Sequence, residues 1–441
     1  MPKLLLSFYG DDLTGSTDVM EALALRGVST VLFTQQPTPA QREKFSDVRA
    51  IGLAGSSRSE SPIWMDEHLA PAFTWLKSLG ATVCHYKICS TFDSSPTIGS
   101  IGRAIDIGQA VFQQAVVPLV VGAPQLKRYT AFGNLFAVYQ GRNYRIDRHP
   151  VMARHPVTPM NEADLRIHLG KQTDKTIDLV DLAMLAADDV DERVDAVLAQ
   201  GAQIVLFDVA DLATQSGVGR QLERLRSAQG VFAVGSSGVE YALLSEWTRV
   251  GLISGASHFA EPGPVDRIAV VSGSCSPTTA RQIRHAQAHG FEALEVDPKQ
   301  LASGESAPID AAIERGLEAL IQGRSVICYS ALGPETDVGS QFQGEGSRHA
   351  IGRALGQIER ALIERAGLRR AVIAGGDTSS HALRQLGVYA LTTRLPLPTT
   401  PGSPLCLAHC DDSAFEGLEI ALKGGQIGAD DYFTKMRLGT I

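Results

Sequence analysis

No apolar run in this 441-residue chain approaches the roughly 18 residues that a bilayer-spanning helix needs. The first residues, Met1-Pro2-Lys3-Leu4, lead straight into an apolar strand pattern, without the basic, apolar and cleavage segments of a secretory leader. A cytoplasmic protein with no membrane partner is expected. Basic charge is also short, because 40 Lys and Arg face 48 Asp and Glu for a formal net charge of -8. That balance argues against nucleic acid as the main partner, while leaving room for a local pocket that takes a small anion. Cysteine is sparse, and Cys84, Cys89, Cys275, Cys328, Cys406 and Cys410 fall mostly in apolar runs, as reduced core thiols do. Cys406, His409 and Cys410 cluster beside Asp411 and Asp412, but no second Cys or His pair stands at zinc-like spacing, so no metal ligand is assigned. Internal repeats and low-complexity tracts are absent.

A chain of this length exceeds what one core supports, so two domains are expected. Short apolar runs alternate with helical patterns, which is the signature of βαβ units. Strands are expected at Leu4–Tyr9, Thr30–Thr34, Ala50–Ala54, Thr82–Ile88, Val116–Val121 and Ile204–Val209, with helices at Asp18–Arg26, Met65–Leu79, Ile101–Gln114 and Val218–Ala228. Residues 133–173 lose periodicity and read as an elaborated loop region. Residues 254–266 are turn-rich and read as a linker between an N-terminal domain, 1–253, and a C-terminal domain, 267–441. In the latter, strands are expected at Arg267–Ser272, Ser325–Ser330 and Arg370–Ala374, with helices from Pro277 to His289 and from about His381 to Leu386. The fold class is α/β, with mainly parallel sheets flanked by helices in both domains.

The segment Gly10-Asp11-Asp12-Leu13-Thr14-Gly15-Ser16 places two carboxylates at the end of the first strand, where open α/β sheets bind ligands. Its glycine spacing mimics a P-loop, yet Ser16 stands where the phosphate-binding Lys belongs and two acids fill the loop. Such a loop repels a triphosphate and suits the gripping of hydroxyls and the removal of a proton. An N-cap of the following helix explains the same residues. Further along, Lys87, Ser90, Thr91 and Asp93 gather at another strand end, and Arg58 at a third, as partners for hydroxyls and a carboxylate. Three Gly-rich stretches in the C-terminal half suit phosphate: Ser272, Ser274 and Ser276 around Gly273; Gly375, Gly376, Asp377 and Thr378; and Gly424-Gly425.

These motifs, in this order, resemble the four-carbon acid sugar kinase family. Asp11-Asp12-Leu13-Thr14-Gly15 looks like its opening signature and Cys89-Ser90-Thr91-Phe92-Asp93-Ser94 like its second sugar-domain motif. Val271-Ser272-Gly273-Ser274-Cys275-Ser276, Ala374-Gly375-Gly376-Asp377-Thr378-Ser379 and Leu422-Lys423-Gly424-Gly425 are similar to its nucleotide-domain elements. The resemblance implies a sugar-binding and an ATP-binding domain with the active site in the cleft between them. It implies Asp12 or Asp11 as base, Arg58, Lys87, Ser90, Thr91 and Asp93 on the sugar, and the serine and glycine loops on ATP with Mg2+. Its substrate is a 3-oxo-tetronate, threonate or erythronate. Because Gly99-Ser100-Ile101-Gly102 and Lys127-Arg128-Tyr129 depart from the related patterns, a branched 3-oxo-isoapionate is also expected. A homodimer is left open. The competing classes are an Asp-based phosphohydrolase, which adjacent acids fit poorly, and an acid-sugar sensor without turnover.

Overall fold

The computed structural model describes residues 3–333, 345–397, 399–400 and 402–440, without the side chains of 345–348 and 377. Met1 and Pro2 lie outside the described residues. Two compact units emerge: Met1–Val31 with Gln36–Ser257, and Leu32–Gln35 with His258–Ile441.

The first unit contains β1 (Leu6–Gly10), half of β2 (Thr30–Phe33), β3 (Ala50–Ala54), β4 (Val83–Lys87), β5 (Val117–Val120), β6 (Arg128–Ala131), β7 (Asn134–Tyr139), β8 (Arg142–Arg145), β9 (Ile177–Val180), β10 (Ile204–Phe207) and β11 (Val231–Gly235). Its main sheet runs β3-β1-β4-β11-β5-β10-β9, and every pair in that series is parallel. Parallel strands are covered on both faces, so they read as unbroken apolar runs. Accordingly every residue of β1, β4 and β11 is buried. Among them is His85, whose ring is satisfied by the Glu240 carboxylate and by the Gly235 carbonyl at 3.0 Å.

Register decides where the chemistry lies. Gly10 pairs with Ala54 and Lys87, and Lys87 with Gly235, so the chain leaves β1, β3, β4 and β11 along one sheet edge. Helix Leu13–Leu25 starts five residues before the expected Asp18, because Asp12 is its N-cap and Gly15 is tolerated in its first turn. Strands β9 and β11 are additions to the pattern reading. Helix Leu212–Arg224 begins and ends earlier than expected from Val218–Ala228.

The 133–173 segment is not a plain loop. It opens with β7 and β8, which join β6 in an antiparallel meander. Its hairpins turn through Phe132-Gly133 and Gln140-Gly141, all at positive φ, the two-residue turns whose twist matches paired strands.

The second unit holds β12 (Ala269–Ser272), β13 (Glu292–Glu295), β14 (Val326–Tyr329), β15 (Arg370–Ala374), β16 (Val388–Leu395), β17 (Leu405–Cys410) and β18 (Glu419–Lys423). Its order is β13-β14-β12-β15-β18-β17-β16, parallel as far as β18 and antiparallel thereafter. Leu32 and Phe33 pair antiparallel with β16, which is why residues 32–35 group with this unit. Ile268, Val270, Ile283, Ile327, Val372, Leu405 and Phe433 form part of its core. The helix expected from His381 begins at Gly376, so the Gly-Gly-Asp-Thr segment forms its N-cap and first turn. No described helix is long and apolar enough to cross a membrane.

Candidate active site

In the first unit the sheet edge gathers Asp11, Asp12, Arg58, Lys87 and Asp93. Asp12 caps helix Leu13–Leu25: its Oδ1 accepts the Gly15 N–H at 2.5 Å, and its Oδ2 accepts from Arg58 at 3.0 Å. Gly15 is needed for this approach. A Cβ there would stand 2.7 Å from Asp12 Oδ1 and 3.2 Å from Lys87 Nζ. The anion position at this helix start is therefore filled by the protein's own carboxylate.

Arg58, on a 3-10 turn after β3, is divided between two acids. Beyond Asp12 it donates to Asp93 at 3.0 and 2.8 Å. Burial alone would raise the Asp93 carboxyl, but Arg58 and the Thr91 hydroxyl outweigh it and hold it below the ordinary carboxylate range. Phe92 between them takes φ 57, unusual for a bulky residue, and its buried ring packs 5.8 Å from His168. That turn brings the Thr91 hydroxyl onto Asp93 and Asp93 onto Arg58, with half-buried Ser90 beside them.

Lys87 is buried. Its ammonium donates to the Ile88 carbonyl at 2.9 Å and stands 3.8 Å from Asp18. Burial works against its charge, but Asp18, Asp11, Cys89 and Asp12 prevail and hold its proton more firmly than usual. Asp18, in turn, accepts from Ser237. Asp11 is the exception in this balanced cluster. It is 5% exposed, its Oδ1 has no hydrogen-bond partner, and burial together with neighbouring Asp12 pushes its carboxyl up to about 7.

In the second unit the three Gly-rich segments follow neighbouring parallel strands. Ser272 pairs with Ala374, and Ala374 with Lys423, so the loops after β12, β15 and β18 leave at one level. They also touch. A Cβ at Gly273 would collide with Thr378 Oγ1, and one at Gly425 would stand 2.7 Å from Ser274 Oγ. Serine hydroxyls brace the first loop: Ser274 N donates to Ser272, Ser276 N to Ser274 and Thr278 N to Ser276 at 3.4, 3.3 and 3.2 Å. Helix Gly376–Leu386 starts from Gly375, at φ 117, which offers no side-chain cap. Helix starts without a capping side chain are where anions are favoured. The Asp377 side chain lies outside the described residues.

Lys423 is quoted in the closing motif without a role of its own, and its surroundings make it a further candidate. Its ammonium is 1% exposed and donates to Thr279 Oγ1 at 3.0 Å and to the Gly424 and Gly425 carbonyls at 2.8 and 3.4 Å. Drawing those carbonyls inward turns the following amides, on Gly425 and Gln426, the other way. No carboxylate is paired with it among the described residues, and burial pulls it down to about 7. Only its place at the end of a strand and before Gly-Gly hinted at this role.

The Cys406, His409 and Cys410 cluster lies on β17, where His409 meets Thr392 at 3.0 Å and Glu416 at 3.2 Å. Burial, then Glu416, pushes the Cys410 thiol up to about 12.

A family model described as "Sugar-binding N-terminal domain" matches residues 6–243, and one described as "Nucleotide-binding C-terminal domain" matches residues 269–433. The chain is 47% identical to the 3-oxo-isoapionate kinase of Paraburkholderia graminis, over 99% of this chain and 95% of that protein. It is 29% identical to the 3-oxo-tetronate kinase of Methylobacterium radiotolerans, over 98% of both. A crystal structure of a Haemophilus influenzae protein superposes with a TM-score of 0.73 at 25% identity, covering 98% of this chain and 99% of that one. The chain belongs to the sugar-acid kinase family that joins a sugar-binding N-terminal domain to a nucleotide-binding C-terminal domain.

Proposed function

We propose that the protein transfers the γ-phosphoryl of ATP to a terminal hydroxyl of a short 3-oxo acid sugar, with branched 3-oxo-isoapionate as the preferred acceptor. The division of labour follows the two units, with residues 1–253 on the sugar and 267–441 on the nucleotide. What carries the activity is the contrast between two strand-to-helix corners. One is capped by the Asp12 carboxylate, and the other offers bare amides. What favours the branched sugar is the relative at 47% identity, against 29% for the 3-oxo-tetronate kinase.

Asp12 suits the base. A carboxylate has about four acceptor sites, and Gly15 and Arg58 use two of Asp12's while a third of its side chain stays open. As the sugar oxygen attacks phosphorus, its proton passes to Asp12 and the bond to the ADP oxygen breaks. Arg58 orients Asp12, and Asp93 holds Arg58. Asp11 sets the charge beside Asp12, with Lys87 neutralising the pair from below. Ser90 and Thr91 remain for sugar hydroxyls. The amides of Gly376, Asp377, Thr378 and Gly425 hold phosphate oxygens, with Ser272, Ser274, Ser276, Gly375 and Gly424 shaping the loops. Mg2+ would offset charge on the phosphates. Among the described residues no three His, Cys, Asp or Glu side chains group to hold a metal, so we assign that ion to the nucleotide. Such chemistry belongs in the cytosol, where ATP is supplied.

The test is ADP release by the purified protein with Mg-ATP and a panel of 3-oxo-isoapionate, 3-oxo-tetronates, threonate and erythronate. The highest kcat/KM is expected on 3-oxo-isoapionate. Silence across the panel overturns the reading, and a preference for a linear acid corrects the sugar.

A further inference from the structure

An acid sugar carries a carboxylate that needs a cation, and both cations first suggested by the motifs are already committed. Arg58 serves Asp12 and Asp93, and Lys87 faces Asp18. A substrate carboxylate placed on either would displace a protein carboxylate and leave it poorly paired, which is costly for one as buried as Asp93.

We propose that Arg128 is the residue that binds the substrate carboxylate, an assignment that rests on the acid-sugar kinase reading. Arg128 opens β6, just after the 3-10 turn Pro124–Leu126 that follows the end of β5. Val120 at that end pairs with Gly235, and Gly235 with Lys87, so the chain leaves β5 along the same edge as β4. Its backbone is fixed by a two-way bridge with Ala123, whose N–H donates to the Arg128 carbonyl at 2.9 Å and whose carbonyl accepts from the Arg128 N–H at 3.1 Å.

The guanidinium is left without an anion. One nitrogen donates to the carbonyls of Leu126 and Lys127 at 3.0 and 3.1 Å, while Nε is buried with no hydrogen-bond partner. No ion pair is formed by Arg128 among the described residues, whereas Arg58 and Lys87 each have one. Burial weakens its hold on the proton, and the acidic groups that counter this are Cys89 and Tyr129. Cys89 ties Arg128 to the sugar side of the site. Its Sγ lies 2.9 Å from Thr91 Oγ1, on the turn that carries Ser90 and Asp93, and it also acts on Arg58. Arg128 and Arg58 therefore both lie within electrostatic reach of one turn, one charge free and the other spent. A planar fork of donors with an unsatisfied Nε–H is the group that a carboxylate fits bidentately.

The test compares wild type with Arg128→Gln, Arg128→Met and Arg128→Lys, using 3-oxo-isoapionate and its neutral carboxamide as probes. Losing a charge-assisted pair is expected to raise KM for the acid by about 10–100-fold. Wild type should discriminate against the carboxamide and Arg128→Gln should not, with Arg128→Lys intermediate and KM for ATP unchanged. Thermal stability is the second readout. Removing an unpaired, half-buried cation should leave Tm equal or higher, while the rise in Tm that the acid produces should shrink. A merely structural arginine would lower Tm and weaken acid and carboxamide alike, which overturns the assignment, as does an unchanged KM. If wild type releases no ADP yet the acid raises its Tm, the kinase reading falls. Arg128 is then judged by whether Arg128→Gln loses that shift. If the acid neither reacts nor raises Tm in wild type, both fall.

Discussion

Two corners of this molecule look alike in sequence and behave as opposites. Gly10-Asp11-Asp12-Leu13-Thr14-Gly15 and Gly375-Gly376-Asp377-Thr378-Ser379-Ser380 each take a buried parallel strand into a helix at a sheet edge. At the first, the Asp12 carboxylate occupies the helix start, and Arg58 and Lys87 are both answered by acids. At the second, the cap is a glycine, and buried Lys423 on the neighbouring strand has no acid among the described residues. A corner that supplies its own anion has no use for phosphate, so its charge is free to take a proton. A corner that withholds an anion stores the demand for one. Glycine content does not separate the two; the origin of the negative charge does.

Removing the supplied anion should have the largest effect. Asp12→Asn keeps a capping side chain but no base, and kcat is expected to fall by about 10²–10⁴-fold in steady-state assays. Unchanged kcat would assign the base to Asp11. Next comes the support for that anion. Arg58→Ala strands a buried Asp93, and chemical denaturation should read a loss near the low end of about 3–5 kcal/mol, since Thr91 still donates to Asp93. A loss under about 1 kcal/mol, the value of an exposed pair, would mean that the cluster is solvated rather than built.

At the other corner, a Cβ on Gly376 would meet nothing within 4 Å. Gly376→Val should therefore fold with Tm near wild type and raise KM for ATP by about tenfold, the scale of one lost charge-assisted contact, while KM for the sugar stays put. Equal changes in both would dissolve the contrast between the corners.

Titration should sharpen it most gently. Asp11 has its carboxyl raised to about 7 by burial and by Asp12. Its proton leaves as pH climbs through that value, so kcat should rise there. The same raised value means that folding takes up a proton, so Asp11's contribution to stability declines as pH rises from the unfolded carboxylate range through about 7. Lys423 is lowered to about 7 by burial, and its charge is lost above that pH. Nucleotide affinity should then weaken with a slope of at most about one decade per pH unit, and binding near neutrality should take up a proton. Lys423→Met would abolish that uptake.

The parallel sheets were legible because fully buried strands make nearly continuous apolar runs, as in Leu4–Tyr9 and Ile204–Val209, each with one polar residue. The helix starts were not. Gly15 and Gly376 look like loop residues, yet each lies in a first turn, one fitted between Asp12 and Lys87 and the other open for a ligand. The meander after Arg128 was hidden for a related reason. Its turns use Phe132 and Gln140 in the left-handed region, residues that carry no turn signal of their own. That the candidate residues Asp11, Asp12, Arg58, Lys87 and Asp93 share a sheet edge was legible, since each follows or ends a strand. Their states of charge were not. Whether Arg58, Lys87, Arg128 or Lys423 is answered by a carboxylate depends on contacts between segments far apart in sequence, such as Arg58 with Asp93, and no local pattern reports that.

The separation of duties is tested most directly by calorimetric titration of a non-hydrolysable Mg-ATP analogue into Asp12→Asn. The account predicts an affinity within about threefold of wild type, under 1 kcal/mol, alongside the collapse of kcat. Loss of nucleotide binding in that variant would contradict it, because the carboxylate corner would then be part of the phosphate site.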